Sequence, residues 1–156
     1  MNEQELTDLF ARLGADDPAG WARSQIREGI PQLARFLFLR QAWREVVADG
    51  DTTWIEEELQ AEAGQPGGAI APALRRLLAL GAEKEDLTTV VRIMQWQLLF
   101  SLCYLPEDPC DVEPEVKDIA WALFRVDEQG QPIEHIGGLH ESVLETDPTG
   151  REMRGP

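Results

Sequence analysis

Apolar residues recur at helical spacing from residue 3 to residue 105 of the chain. Leu6, Phe10 and Leu13 begin the pattern, and Gly14 follows as a C-terminal cap. The same spacing, broken by glycine, proline and acidic pairs, continues through the later segments. It predicts six helices, at about residues 3–13, 19–28, 31–48, 54–63, 72–80 and 84–105.

The sixth predicted helix is apolar on almost every side from Leu98 to Leu105. A membrane span needs about twenty apolar residues without a charge near the middle, and Arg92 breaks that pattern. We therefore expect residues 85–105 to be the central, buried helix of a helical bundle and the chain to have no membrane span. Leu99 and Phe100 are expected in the core, together with Trp43 of the third helix.

The pattern changes at Pro106. Residues 106–118, the acidic connector, combine three prolines with six acids, which excludes a long helix. Residues 119–126 are rich in β formers, and a turn separates them from a second run at 133–136, so residues 119–136 are predicted to form a β-hairpin. A short helix is expected at 139–145, with a polar tail from about residue 147.

Helices followed by strands favour a mainly helical α+β fold. At 156 residues, the chain has the length of one globular domain, predicted to cover residues 1–156. The glycine-rich stretch 64–68 is expected to be a flexible loop within that domain, because the pieces on either side are small. Thr53 and Glu56, just before this loop, have the spacing of a helix capping box.

The charge of the chain is distributed unevenly. Residues 1–44 hold six acids and six arginines, so the whole net charge of -15 lies beyond Arg44. Such a field repels phosphate and anionic lipid and attracts basic surfaces. We therefore expect a basic protein partner and no binding to nucleic acid or membranes. The acidic first residues are not followed by an apolar segment of the signal-peptide kind, which favours a cytoplasmic location.

The acidic connector is the candidate docking site for that partner, although a charge run can also serve solubility alone. Trp121 follows it as an aromatic anchor candidate, but a tryptophan in a strand is more often a core residue. Small acidic bacterial proteins that neutralise a basic toxin, nuclease or DNA-binding protein share this composition, which indicates an immunity, inhibitory or regulatory role without enzymatic activity. The predicted partner-binding residues are Glu107, Asp108, Asp111, Glu113, Glu115, Asp118 and Trp121.

Carboxylates on two helices support an alternative function. Their order resembles that of the all-helical pyrophosphohydrolases, which hold magnesium with glutamates and aspartates, although Ala61 stands where those enzymes carry a third glutamate. The candidate metal ligands are Glu58, Glu62, Glu83 and Asp86. A DNA mimic is a third possibility, and it requires the acids to line one elongated face with phosphate-like spacing.

No other motif predicts a reaction or a cofactor. Cys103 lies in an apolar helix and Cys110 lies among acids, and both settings disfavour the thiolate. His135 and His140 could join these thiols in a zinc site only if the fold brought the four side chains together. The third helix carries Leu37 and Phe38 off its main apolar face, which indicates packing on two sides, either inside the domain or across a homo-oligomer interface.

Overall fold

The fold, taken from a computed structural model that describes residues 1–108 and 114–155, is mainly helical α+β, as predicted. Within the described ranges the chain forms seven α-helices, two single turns of 3₁₀-helix and one hairpin. The helices are α1 (Glu3–Leu13), α2 (Pro18–Glu28), α3 (Gln32–Ala42), α4 (Thr53–Glu58), α5 (Ile70–Ala79), α6 (Lys84–Tyr104) and α7 (Leu139–Ser142). The strands are β1 (Phe124–Val126) and β2 (Pro132–His135), and the 3₁₀ turns are Trp43–Glu45 and Leu144–Thr146.

The chain packs as two compact units. The first unit combines Met1–Trp43 with Leu98–Pro156, and the second is the continuous segment Arg44–Gln97. Most contacts of each unit lie within that unit. The single domain expected from the sequence stays a prediction.

Three aromatic rings form the centre of the core in the first unit. The ring centroids of Phe10, Trp21 and Phe36 lie 5.4–5.9 Å apart, two of the pairs edge to face. Leu6 and Ala22 are buried against them, and such ring pairs contribute about 0.5–1.5 kcal/mol each beyond their buried area. The helical spacing of the apolar positions in α1, α2 and α3 produces this cluster, because each helix places one apolar stripe inward.

The end of α3 is tied to α7 across a hundred positions of sequence. Trp43 is buried, and its Nε1 donates to the backbone oxygen of Val143 at 3.0 Å. Nη1 of the buried Arg35 donates to Oγ of Ser142 at 3.3 Å, and burial lowers the pKa of Arg35. Gly138 precedes α7 with φ of +67°, and a side chain there would clash with the Arg35 guanidinium. The predicted burial of Trp43 is thus confirmed.

In the second unit, two polar side chains of α6 face inward. Oγ1 of the buried Thr88 donates to the backbone oxygen of Asp51, and Nη1 of the buried Arg92 donates to that of Val47 at 2.7 Å. Val90 and Met94 are more than half exposed instead. Non-helical backbone before α4 requires hydrogen-bond partners, and the polar side chains of α6 supply them.

The second half of α6 is also less buried than predicted. Cys103 is fully buried in the first unit, but Phe100 is 37% exposed, so its predicted place in the core is wrong. Leu98 and Leu102 are more than half exposed. Among the described residues, no helix combines the length and the apolar character that a membrane crossing requires. A composition that is apolar all round does not specify which face of a helix is covered.

The start of α4 differs from the predicted capping box. Thr53 lies inside the helix, and Oδ1 of Asp51 accepts hydrogen bonds from both N and Oγ1 of Thr53, at 2.8 and 2.7 Å. These bonds lower the pKa of Asp51. Asp51, and not Thr53, therefore accepts the side-chain hydrogen bonds at the start of α4. The helix also ends at Glu58, whereas the sequence predicted an end near residue 63.

The predicted hairpin is present but shorter. Phe124 pairs with His135 and Arg125 with Glu134, and a bulge then shifts the register. Oδ1 of Asp127 accepts from the backbone nitrogens of residues 129 and 131 and so closes the turn. Residues 119–123 were expected in the first strand and instead precede it, which leaves two short strands with exposed side chains on both faces.

The chain after residue 147 is folded rather than a free polar tail. Asp147 is 3% exposed, and its carboxylate accepts hydrogen bonds from Thr149 and from the backbone nitrogen of Met153. A buried carboxylate with several donors organises the turn around itself. The sequence indicated a turn at this position but not that its acid lies inside.

Candidate partner-binding surface

Five large apolar side chains around the hairpin lie at the surface. Each is 45–58% exposed, although residues of this type are normally buried in a folded domain. They belong to one stretch of the first unit, which we call the hairpin surface. Its members are Ile119, Trp121, Phe124, Val126 and Ile133.

Two short strands explain this exposure. Phe124 and Val126 share one face of β1, and Ile133 lies on the paired strand. A two-stranded sheet has no further strands to cover its apolar side chains and is only marginally stable by itself in water. These side chains are therefore available for contact with another molecule.

Trp121 is outside the core, so the more common interpretation of a strand tryptophan is wrong for this residue. It precedes β1, is half exposed, and donates from Nε1 to the backbone oxygen of Leu105 at 2.9 Å. Its polar atom is thus satisfied within the protein while part of the indole ring faces outward. Aromatic anchors in protein interfaces combine these two properties.

The acids of the connector have different positions. Oε1 of Glu107 accepts from the backbone nitrogen of Gly138 at 2.5 Å, and Oδ2 of Asp108 accepts from the Tyr104 hydroxyl at 3.3 Å. Both acids are half-buried, so they contribute to the fold as well as to the charge. Glu115 and Asp118 are exposed close to the hairpin surface in sequence. Asp111 and Glu113 lie outside the described residues.

The chain around the hairpin surface is acidic overall. Residues 114–135 hold five acids and two bases, which gives a formal charge of -3. The base Arg125 is paired with Glu134, with Nε 2.8 Å from Oε2, so its charge is locally compensated. Exposed apolar side chains in a segment of net negative charge favour a partner surface that combines apolar residues with lysine or arginine.

The carboxylates of the metal alternative do not form a site in the described part of the chain. There, no group of three or more histidine, cysteine, aspartate or glutamate side chains is arranged to hold a metal ion. Glu62, Glu83 and Asp86 are exposed, and Glu58 is half-buried. Lys84 pairs instead with a further acid of α4, Glu56.

The structure describes three of the four residues considered for a zinc site, namely Cys103, His135 and His140. His140 packs edge-on against Tyr104, with centroids 4.8 Å apart, and His135 packs against Phe124. Cys103 is a free, buried thiol, and burial raises its pKa to about 11, which disfavours the thiolate. Cys110 lies outside the described residues.

Comparison with known proteins adds no relative. No protein-family model, curated protein or solved structure matches the chain. The hairpin surface and its charges are therefore the observations on which a functional proposal depends.

Of the five members of the hairpin surface, only Trp121 was predicted from the sequence as a candidate binding residue. Phe124, Val126 and Ile133 were interpreted only as β formers. A signal was present, because a chain with two predicted strands cannot bury apolar residues on both faces of a hairpin unless helices cover them. The exposed fraction of each side chain required the structure.

Proposed function

We propose that this protein is a non-enzymatic binding protein that docks a basic protein partner through the hairpin surface. The observation that carries the proposal is the exposure of five large apolar side chains in one short stretch of the chain. Contiguous exposed apolar patches are typical of protein interaction sites, and five such side chains close together in sequence are the candidate for one here. Trp121 is the proposed anchor, because its position is set by a hydrogen bond and its ring is half exposed.

Charge supports a basic partner over a neutral or acidic one. The net charge of -15 produces a field that attracts cationic proteins and accelerates their association. Glu115 and Asp118 are exposed beside Trp121 in sequence and are proposed to contact lysine or arginine side chains of the partner. Glu107 and Asp108 contribute mainly through their charge, since both also make hydrogen bonds within the protein.

Masking a basic surface is the proposed biological effect. An acidic protein that covers the functional surface of a toxin, a nuclease or a DNA-binding protein blocks access of its anionic substrate. An immunity, inhibitory or regulatory role in the cytoplasm follows from this chemistry. The complex itself requires no cofactor, because shape and charge complementarity supply the binding energy.

Affinity capture from the source cell with three versions of the protein tests the proposal. The hairpin variant is F124S/I133S, and the matched control is L77S/L80S, which removes two exposed leucines from the second unit. We expect the wild type and the control to retain the same protein of basic net charge and the hairpin variant to lose it. Equal capture by all three versions, or loss only in the control, contradicts the proposal.

A further inference from the structure

A second candidate site lies in the first unit, and none of its residues belongs to the hairpin surface. A pocket of about 440 Å³ opens where α2 and the start of α3 meet the C-terminal segment. This volume is in the range of small-molecule sites. The lining residues that matter here are Asp16, Asp17, Gln32, Glu145 and Glu152.

Four carboxylates line this pocket, and two of them are engaged. Oδ1 of Asp17 accepts from the backbone nitrogen at the start of α2, and Oε2 of Glu152 lies 2.7 Å from Nη2 of Arg154. Asp16 and Glu145 are exposed and make neither a hydrogen bond nor an ion pair within the described residues. The positive charge of the buried Arg35 acts on Glu145, but it also acts on Glu107 and Glu141. The pocket therefore keeps negative charge.

Gln32 supplies an independent observation that points to a ligand. Its side chain is 92% buried (8% exposed), and Nε2 donates to Oγ of Ser24 at 2.9 Å. Oε1 has no donor in the described part of the chain, although almost all buried carbonyl oxygens have one. A ligand that enters this pocket with an N–H group would supply the missing donor.

We infer that the pocket binds a guanidinium group. Guanidinium carries five N–H donors in one plane, so it can donate to Gln32 Oε1 and to carboxylates on either side at the same time. The group can belong to a free small molecule or to an arginine side chain of another protein. This inference does not depend on the function proposed for the hairpin surface.

Two probes test binding and identify the source of the group. Methylguanidinium chloride and the peptide acetyl-Gly-Arg-Gly-amide are titrated into ¹⁵N-labelled protein, and the amide signals of Gly20 and Gly150, which line the pocket, are followed. We expect both signals to shift with saturation at millimolar concentration. Binding of the peptide about tenfold tighter than the small cation indicates an arginine of a protein, whereas equal affinities indicate a free ligand. Absence of saturable shifts for both probes overturns the inference.

Matched variants distinguish the pocket from general electrostatic attraction. D16N/E145Q removes the two unengaged charges and is expected to weaken binding about tenfold or more, since a hydrogen bond to a charged group is being lost. Q32M is expected to weaken it as well, and Q32E to strengthen it, because a carboxylate then faces the cation. The control E57Q/E62Q removes the same charge at exposed acids of the second unit and should bind as the wild type does. Unchanged affinity in D16N/E145Q, or weaker binding by Q32E, overturns the inference.

Discussion

The indole Nε1 of Trp121 donates to the backbone oxygen of Leu105, 2.9 Å away. Leu105 directly follows α6, where the last carbonyl groups of a helix have no partner within the helix. The bond therefore satisfies the end of α6 and positions the ring, while half of the side chain stays exposed. A large aromatic side chain held in place at the surface loses little freedom on binding, which favours a role as an interface anchor.

The two tryptophans Trp121 and Trp43 provide a matched pair for the first prediction. W121A is expected to lower the free energy of unfolding by about 1 kcal/mol or less, because the ring is half exposed and loses one hydrogen bond. W43A is expected to cost about 3–5 kcal/mol, because Trp43 is buried and bonded to Val143. Urea denaturation measures both values. Similar losses in the two variants would place Trp121 in the core after all.

The helices near the N-terminus were the most predictable part of the fold. The predicted bounds of α1 agree with those of the structure, because its apolar stripe, the cap at Gly14 and the acids of its first turn all favour the same helix. The fold class was also predictable, since helical spacing gives way to β formers after residue 118. Local signals were sufficient in these segments.

The environment of α6 and the acidic pocket could not be predicted. Thr88 and Arg92 of α6 bond to backbone at positions 51 and 47, which the pattern of α6 does not include. The pocket combines residues 16–32 with residues 144–152. Contacts between segments so distant in sequence depend on tertiary packing, which periodicity within one segment does not report.

The buried carboxylate of Asp147 gives the second prediction. D147A is expected to lower the free energy of unfolding by about 1–3 kcal/mol, because Thr149 and the backbone nitrogen of Met153 would lose their acceptor. D118N, at an exposed acid, is the control and should change stability by less than about 0.5 kcal/mol. Chemical denaturation of both variants checks this, and an unchanged midpoint for D147A would contradict a stabilising role of this carboxylate.

The thiol of Cys103 gives a prediction about pH. Its pKa is raised by burial from an ordinary value of 9.0 to about 11, so the folded state favours the protonated thiol. The free energy of unfolding keeps its full value with respect to this thiol below pH 9.0. It decreases as the pH rises from 9.0 towards 11, because the thiol of the unfolded chain loses its proton in this range while the buried thiol keeps it. In a C110S background, we expect slow alkylation of native protein by iodoacetamide and rapid alkylation in urea. Rapid alkylation of the native protein at neutral pH would contradict the burial of this thiol.

Self-association through α3 is a fourth prediction. Leu37 and Phe38 are 40% and 38% exposed, so the surface required by this hypothesis is accessible. The double variant L37E/F38E is expected to sediment as a monomer at concentrations where the wild type forms oligomers, because two charges would lie in the contact. Sedimentation velocity over a range of concentrations measures this. A wild type that stays monomeric at high concentration would contradict self-association through Leu37 and Phe38.

The salt dependence of association with the captured basic partner tests the central claim most directly. The compared variants are E115K/D118K, next to the hairpin surface in sequence, and E57K/E62K, which changes the net charge equally at exposed acids of the second unit. The quadruple reversal of Asp108, Asp111, Glu113 and Glu115 to lysine extends the test to the whole connector. We predict slower association and a flatter dependence on ionic strength for the first and the quadruple variants, with a much smaller change for E57K/E62K. Association rates that equal those of the wild type at low and at high salt would contradict docking at the acidic connector and hairpin surface.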